Sequence, residues 1–334
     1  MLNRGSLVAL LAGSALALFA APHASKGLLL VANKGDAALG IVESASGLQV
    51  AAVAEGGVTG HEVAASPDGR TAFVPIFGNS GVGQPGTDGE KIAVIDIAAR
   101  KVTSTIEFGK GVRPHCPVFG PRNGMLYVTT ELLNAVTLID PKTLKIVGSV
   151  PTGQPESHML AISHDGKLGY TANVGPGTVS VLDLEGRKTV EVIAVAKTVQ
   201  RISISADDRW VFTADQGAPR LAVIDTKTRK VARWVELPGS AYGTAVTPDG
   251  RWLLAAIQKT NQVAVVDLAA MKVERVIEVP KIPQEMLIRP DGQVAYVSCD
   301  RSAQVAEISL TDWKVMRLIA AGKGADGLAW AATK

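Results

Sequence analysis

The stretch that decides the fold is A-V-T-P-D-G at residues 245–250, followed by short apolar runs at residues 252–256, 263–267 and 273–279. Four apolar runs separated by turns predict four β-strands. The Pro-Asp-Gly sequence between the first two runs is typical of a tight hairpin turn, because proline presets φ and glycine accepts a positive φ. This unit therefore predicts one four-stranded antiparallel sheet.

The same unit recurs along the whole chain. Its turn reappears as S-P-D-G at residues 66–69, S-H-D-G at 163–166 and R-P-D-G at 289–292. An Asp or Ser that ends the third strand is found at Ser44, Asp96, Asp140, Asp183, Asp225, Asp267 and Ser309. Seven marks predict seven repeats, and repeats of roughly forty residues are typical of β-propeller blades. We predict an all-β, seven-bladed β-propeller that occupies residues 25–334 as a single domain.

The two ends of the chain complement each other. The first three predicted strands, at residues 28–33, 38–42 and 48–53, lack an innermost partner, which residues 326–331 can supply. Pairing both ends in one blade closes the ring and removes free sheet edges that would invite aggregation.

Residues 1–24 have the pattern of a secretory signal, with Arg4 as the only charge, an apolar run at residues 7–21 and small residues after it. This pattern predicts a periplasmic or extracellular protein. No later run approaches the roughly 20 apolar residues of a membrane span, so a membrane-spanning protein is not expected.

The net charge of +3 comes from acids and bases spread along the chain, so no nucleic-acid partner is expected. Cys116 and Cys299 fall in different repeats, and we predict two buried, unpaired thiols.

A family resemblance rests on L-Y-V-T-T at residues 126–130 and V-T-L-I-D at residues 136–140, with S-P-D-G before an equivalent strand. This pattern resembles the YVTN-repeat propellers secreted by bacteria and archaea, a lactonase-like and quinoprotein-like group. The resemblance covers all seven repeats and implies the fold. It leaves function open, because similar propellers include lactonases, lyases and the metal-binding or haem-binding propellers of nitrogen-oxide reductases.

One position in each repeat, five residues before the first turn, is never aliphatic. Its residues are His61, His115, His158, Gln200, Tyr242, Gln284 and, from the closing strand, Asp326. Because inner strands converge on the channel, we expect these side chains to meet at one mouth of it. Three imidazoles and the Asp326 carboxylate predict a site for a divalent transition metal such as Zn, Cu, Mn or Fe. The alternative is that the histidines only hydrogen-bond to backbone and channel water.

The neighbouring positions extend this predicted site. We expect Gln200, Arg201, Tyr242, Gln284 and Arg113 to contact a ligand. If the protein is an enzyme, Glu62 or Glu285 is the expected proton acceptor. Strand alternation instead sends Cys116 and Met159 into the core, because adjacent residues face opposite sides of a strand.

Two cofactor classes are not expected from the motifs. The chain has no C-x-x-C-H sequence, so covalent haem c is not predicted. Residues 81–86 match G-x-G-x-x-G, but a predicted strand rather than a helix follows, so no nucleotide site is predicted. The insertion at residues 78–90 is instead expected to be a loop over the top of the channel, either a lid or solvent-exposed chain.

Three functions are compatible with this sequence. The first is a binding protein that holds a small molecule or a metal at the channel mouth. The second is a metal-dependent lactonase-like hydrolase or lyase that uses the same histidines. The third is an interaction scaffold that holds a protein partner on its top face.

Overall fold

The computed structural model describes residues 26–333, so the secretory signal predicted at residues 1–24 lies outside the described residues. The described chain forms seven four-stranded antiparallel sheets, which confirms the predicted seven-bladed propeller. It contains only two 3-10 turns besides the strands, at Glu131–Leu133 and Asp300–Ser302. Among these residues no helix is long and apolar enough to cross a membrane.

The strands of each blade are numbered in chain order. Blade 1 contains β1 (Gly27–Asn33), β2 (Ala38–Glu43), β3 (Leu48–Ala54) and, from the other end of the chain, β28 (Ala325–Ala332). Blade 2 contains β4 (Ala64–Ala65), β5 (Thr71–Gly78), β6 (Asp88–Asp96) and β7 (Lys101–Glu107). Blade 3 contains β8 (Pro114–Phe119), β9 (Leu126–Thr130), β10 (Ala135–Asp140) and β11 (Lys145–Pro151). Blade 4 contains β12 (Ser157–Ile162), β13 (Leu168–Asn173), β14 (Thr178–Asp183) and β15 (Lys188–Ala194).

The remaining blades follow the same order. Blade 5 contains β16 (Ile202–Ile204), β17 (Trp210–Ala214), β18 (Arg220–Asp225) and β19 (Lys230–Glu236). Blade 6 contains β20 (Ala241–Val246), β21 (Trp252–Ile257), β22 (Gln262–Asp267) and β23 (Lys272–Glu278). Blade 7 contains β24 (Pro283–Ile288), β25 (Val294–Cys299), β26 (Gln304–Ser309) and β27 (Lys314–Ala320).

The ring closes through the two ends of the chain, as predicted. Strand β28 lies innermost in blade 1 and pairs antiparallel with β1, with Leu29 opposite Trp330. Gly27 is required at this seam because a Cβ there would lie 2.2 Å from the Trp330 ring. The closure leaves β1 without a free edge.

The burial of each strand matches its position in the blade. The middle strands of each blade, such as β9, are buried along their whole length, whereas outer strands such as β23 alternate exposed and covered residues. Neighbouring blades pack face to face through aliphatic side chains, for example around Tyr170 and Val181 between blades 4 and 5. Cys116 and Cys299 are buried and unpaired, in agreement with the prediction.

The innermost strands are irregular near their starts, and this irregularity shapes the site. The pairing register of β8 with β9 shifts between Pro114 and Pro117, and comparable shifts occur in β12, β20, β24 and β28. Such a bulge inserts one extra residue and re-aims the side chains around it. Simple alternation therefore does not predict which of two successive residues at these positions faces the channel.

Candidate functional site

The residues at the predicted register position lie at or just before the starts of the innermost strands. They surround one end of the channel, which we call the top face. The ring centroids of His61 and His115 are 5.6 Å apart, and those of His115 and His158 are 3.6 Å apart in a stacked arrangement. The structure therefore brings together the three histidines predicted from the sequence.

Phe77, at the end of β5, packs against all three imidazoles. Its ring centroid lies 5.1 Å from that of His61, 5.2 Å from that of His115 and 5.7 Å from that of His158. His115 and His158 are only 2% and 3% exposed. The sequence analysis did not single out Phe77, because an apolar residue near a strand end carries no functional signal.

Burial keeps these imidazoles neutral. It lowers the pKa of His61 to about 4 and lowers the pKa of both His115 and His158 well below the ordinary value of 6.5. The Nδ1 atoms of His115 and His158 are buried without a hydrogen-bond partner in the described part of the chain. A neutral imidazole nitrogen with no partner is available to form a hydrogen bond or to bind a ligand.

Beside the histidines, Arg201 is the centre of a buried ionic cluster. Its Nη1 atom donates to Glu62 Oε1 at 2.6 Å and to Glu285 Oε2, and its Nη2 atom donates to Asp326 Oδ1 at 2.9 Å. The Arg201 side chain is 3% exposed, and its guanidinium lies 5.0 Å from the centre of the Tyr242 ring. Five blades thus contribute to one cluster, which no local sequence pattern could show.

The carboxyl groups of this cluster differ in their pKa values. Burial raises the pKa of Glu62 well above its ordinary value and also raises that of Glu285, although Arg201 opposes both shifts. Burial also acts to raise the pKa of Asp326, but Arg201 and Lys34 outweigh it and the pKa is lowered. Glu62 and Glu285, the predicted proton acceptors, both hydrogen-bond to Arg201, so neither carboxylate is free in this conformation.

Hydrogen bonds link the rest of the top face. Lys34 Nζ lies 3.1 Å from Asp326 Oδ2 and 2.8 Å from Asp300 Oδ2. Gln200 Nε2 donates to the Tyr242 hydroxyl at 2.9 Å. Gln284 accepts from Gln258 Nε2 at 3.0 Å. Gln200, Tyr242 and Gln284, predicted as ligand contacts, thus lie at the rim of the same channel mouth.

Met159 and Cys116 are the two neighbouring residues that strand alternation places in the core. Met159 is buried in a hydrophobic core cluster together with Cys116, as predicted, and its Sδ also lies 3.7 Å from Arg201 Nη1. Cys116 Sγ approaches the Leu160 carbonyl oxygen at 3.8 Å.

Arg113 lies at the edge of the histidine group. Its guanidinium is 5.9 Å from the centre of the Phe77 ring and bonds to Asp88 and Glu131. Across residues 26–333, no group of three or more His, Cys, Asp or Glu side chains has an arrangement that could hold a metal ion.

Comparisons with known proteins match parts of this chain. The model of the cytochrome D1 heme domain family matches residues 86–289. The seven-bladed beta-propeller protein Rv1057 of Mycobacterium tuberculosis is 30% identical over 140 residues, an alignment that spans 41% of this chain and 32% of that protein. The structure of Kuenenia stuttgartiensis hydrazine synthase superposes with a TM-score of 0.68 at 18% identity, covering 81% of this chain and 89% of that one.

The family match corrects the cofactor prediction made from the sequence. The sequence predicts a divalent transition metal and, because C-x-x-C-H is absent, no haem c, but the matching family is a heme domain family. The motif reports only covalent attachment through two cysteines, and a haem held by side chains from separate blades has no such signature.

The residues at the top face fit a haem in the type of donor they offer. Haem iron accepts a neutral imidazole as axial ligand. His115 and His158 present such rings, each with a buried Nδ1 atom that lacks a partner among the described residues.

Proposed function

This chain belongs to the cytochrome D1 heme domain family, and on that premise we propose that it binds a haem-type tetrapyrrole at the top face of its propeller. The observation that carries the proposal is the pair of partnerless, buried Nδ1 atoms on His115 and His158. A buried polar atom without a partner costs free energy, so a ligand that uses it gains affinity. Bound haem would supply an iron centre that takes an axial ligand and exchanges one electron.

Different residues of the top face would have different roles in binding. His115 or His158 would hold the iron of a bound haem through its imidazole, and burial favours the neutral form of both rings, which binds without first losing a proton. Phe77 excludes water from the imidazoles by packing on all three of them. The Arg201 cluster holds the inner strands of five blades in register beneath the ligand.

The test is reconstitution of the mature protein with ferric haem and with d1-type haem, followed by absorbance spectroscopy. We expect a shifted Soret band that saturates near one equivalent. His115→Ala and His158→Ala should each weaken binding by roughly tenfold or more, because each removes a candidate ligand. His164→Ala is the matched control, since His164 is exposed in a turn and pairs with Asp208 Oδ1 at 2.6 Å.

Two results would overturn the proposal. One is wild-type protein that binds neither haem under these conditions. The other is an equal loss of the Soret shift in the His164→Ala control, because binding would then come from surface imidazoles rather than from the top face.

We also propose that the chain is exported through residues 1–24, which carry the apolar run at residues 7–21. Export would bring the propeller to a compartment outside the cytoplasm. N-terminal sequencing of the protein from periplasmic and extracellular fractions tests this: a start between residues 21 and 25 is expected. An intact Met1 in the protein recovered from those fractions would contradict it.

A further inference from the structure

The loop at residues 79–87, between β5 and β6, reaches from blade 2 across the top face toward blade 4. A Cβ atom on Gly83 would lie 2.5 Å from Glu156 Oε1, and Glu156 immediately precedes β12 of blade 4. The loop therefore passes over blade 3. His61, His115 and His158 belong to these same three blades, so the loop lies on the side of the ring where the histidines cluster.

One side chain, Arg113, holds this loop. Its Nε donates to Asp88 Oδ1 at 2.6 Å, its Nη2 to the Gln84 carbonyl at 2.7 Å and its Nη1 to Glu131 Oε1 at 2.8 Å. Glu131 Oε1 also accepts the Gly83 N–H at 3.1 Å, so the same carboxylate binds both the arginine and the loop. Arg113 has a φ of 50°, a conformation that costs energy for a residue with a Cβ and is kept only where surroundings enforce it.

The further backbone amide bonds of the loop lie within the loop itself. Gly81, Gly83 and Gly86 lie within it, and most of its residues are exposed. Arg113 and Glu131, by contrast, are 6% and 2% exposed at the side chain. A segment with few apolar contacts and polar anchors opens at low free-energy cost, so the anchors set its stability.

The contacts beneath the loop show what opening would uncover. Arg113 packs over Phe77, and Phe77 covers the three imidazoles. Because His115 and His158 are almost fully buried, a ligand can reach them only after this cover moves. We propose that residues 79–87 are a gate to the histidine site and that Arg113 is its latch. The identity of the ligand that the gate admits rests on the proposed function. The role of Arg113 in holding the loop is independent of it.

The latch is tested first without any ligand, by amide hydrogen exchange. Among the loop amides, that of Gly83 donates to Glu131 and reports whether the loop is closed, whereas those of Asn79, Gln84 and Thr87 bond within the loop and report its internal order. Arg113→Gln should accelerate their exchange by about tenfold or more, because three charge-assisted contacts are lost. Arg122→Gln is the control, since Arg122 makes only a 3.4 Å contact with the Asp165 carbonyl and lies away from the loop. Exchange in the control should match wild type.

The second test measures association of ferric haem by stopped-flow absorbance. Glu131→Gln keeps Arg113 and an amide oxygen that can accept the Gly83 N–H, but it removes one of the two carboxylate charges that hold Arg113, the other being that of Asp88. It should raise the association rate by severalfold or more while leaving the histidine ligands intact.

The two tests separate the gate from the proposed function. Unchanged loop exchange in Arg113→Gln overturns the gate whatever the haem result. Accelerated exchange together with no haem binding by any variant supports the latch and overturns haem as its ligand. Accelerated exchange with an unchanged association rate in Glu131→Gln overturns the role of the loop in access.

Discussion

Arg201 Nη1 lies 2.6 Å from Glu62 Oε1, although the two residues are 139 positions apart in the chain. Arg201 also binds Glu285 and Asp326, so one guanidinium connects blade 5 to blades 2, 7 and 1. Buried charges are tolerated when each has partners, and loss of one partner leaves the others uncompensated. This cluster therefore makes the centre of the ring depend on a single arginine.

Arg201→Met should lower the free energy of unfolding by about 3–5 kcal/mol, because three carboxyl groups lose their shared cation in a buried site. Arg70→Met is the control, since Arg70 is 77% exposed and lies 4.0 Å from Asp68. Exposed pairs of this kind contribute at most about 1 kcal/mol. Denaturant titration at neutral pH provides the measurement, and equal losses in the two variants would argue against a cluster that supports the ring.

Thr213 supports Arg201 from the neighbouring strand. Its Oγ1 donates to the Arg201 carbonyl oxygen at 2.7 Å, and the residue is fully buried. Thr213→Val keeps the shape but leaves this carbonyl unsatisfied, so we expect a loss of about 1–3 kcal/mol. Thr103→Val, which removes a 3.3 Å contact on the outer strand β7, should be close to neutral. A neutral Thr213→Val in chemical denaturation would show that the carbonyl finds another partner.

The top-face imidazoles should remain neutral well into the acid range. Because burial lowers the pKa of His61 from 6.5 to about 4, its contribution to stability is fully present above pH 6.5 and is lost as the pH falls toward 4. We expect the ring resonances of His61, His115 and His158 to stay in the neutral form between pH 8 and about 5 by nuclear magnetic resonance. Titration of any of the three near pH 6.5 would contradict the burial that the structure describes.

The contribution of Glu55 to stability should depend on pH in the opposite direction to that of His61. Burial raises its pKa from 4.5 to about 7, although the Gly60 N–H donates to its Oε2 at 2.9 Å. The folded state therefore favours the protonated form, and stability is lost as pH rises from 4.5 to about 7. Glu55→Gln keeps an acceptor for Gly60 and should be more stable than wild type at pH 8, on the order of 3 kcal/mol at most. Unfolding curves at pH 5 and pH 8 decide this, and the advantage should vanish at pH 5.

Repetition made the fold predictable from the sequence. The strand-ending residues from Ser44 to Ser309 set the number of blades, and the unpaired first strands predicted closure by residues 326–331. The same repeat register also identified His61, His115 and His158 as neighbours. These inferences succeed because each blade is a local unit whose pattern of apolar and turn residues is read within about forty residues.

The contacts at the centre of the site could not be predicted from the repeat pattern. Arg201 was expected to contact a ligand, but only the folded ring shows that it binds Glu62, Glu285 and Asp326. The sequence placed Met159 in the core, where it packs, but could not show that its Sδ also lies 3.7 Å from Arg201 Nη1. The prediction of a divalent metal without haem was wrong, because the chain matches a heme domain family. The absence of C-x-x-C-H excludes only covalent attachment and says nothing about a haem held by side chains from separate blades.

The sequence by itself therefore determined the seven blades, their closure and the position of the histidines, because these depend on periodic patterns along the chain. Tertiary structure alone decided that Arg201 joins carboxylates of three other blades, that Phe77 covers the imidazoles, and that Arg113 holds the loop at residues 79–87. Those contacts join residues from different repeats, and their partners are chosen by the bulges and by the burial of charge at the channel rather than by any local pattern.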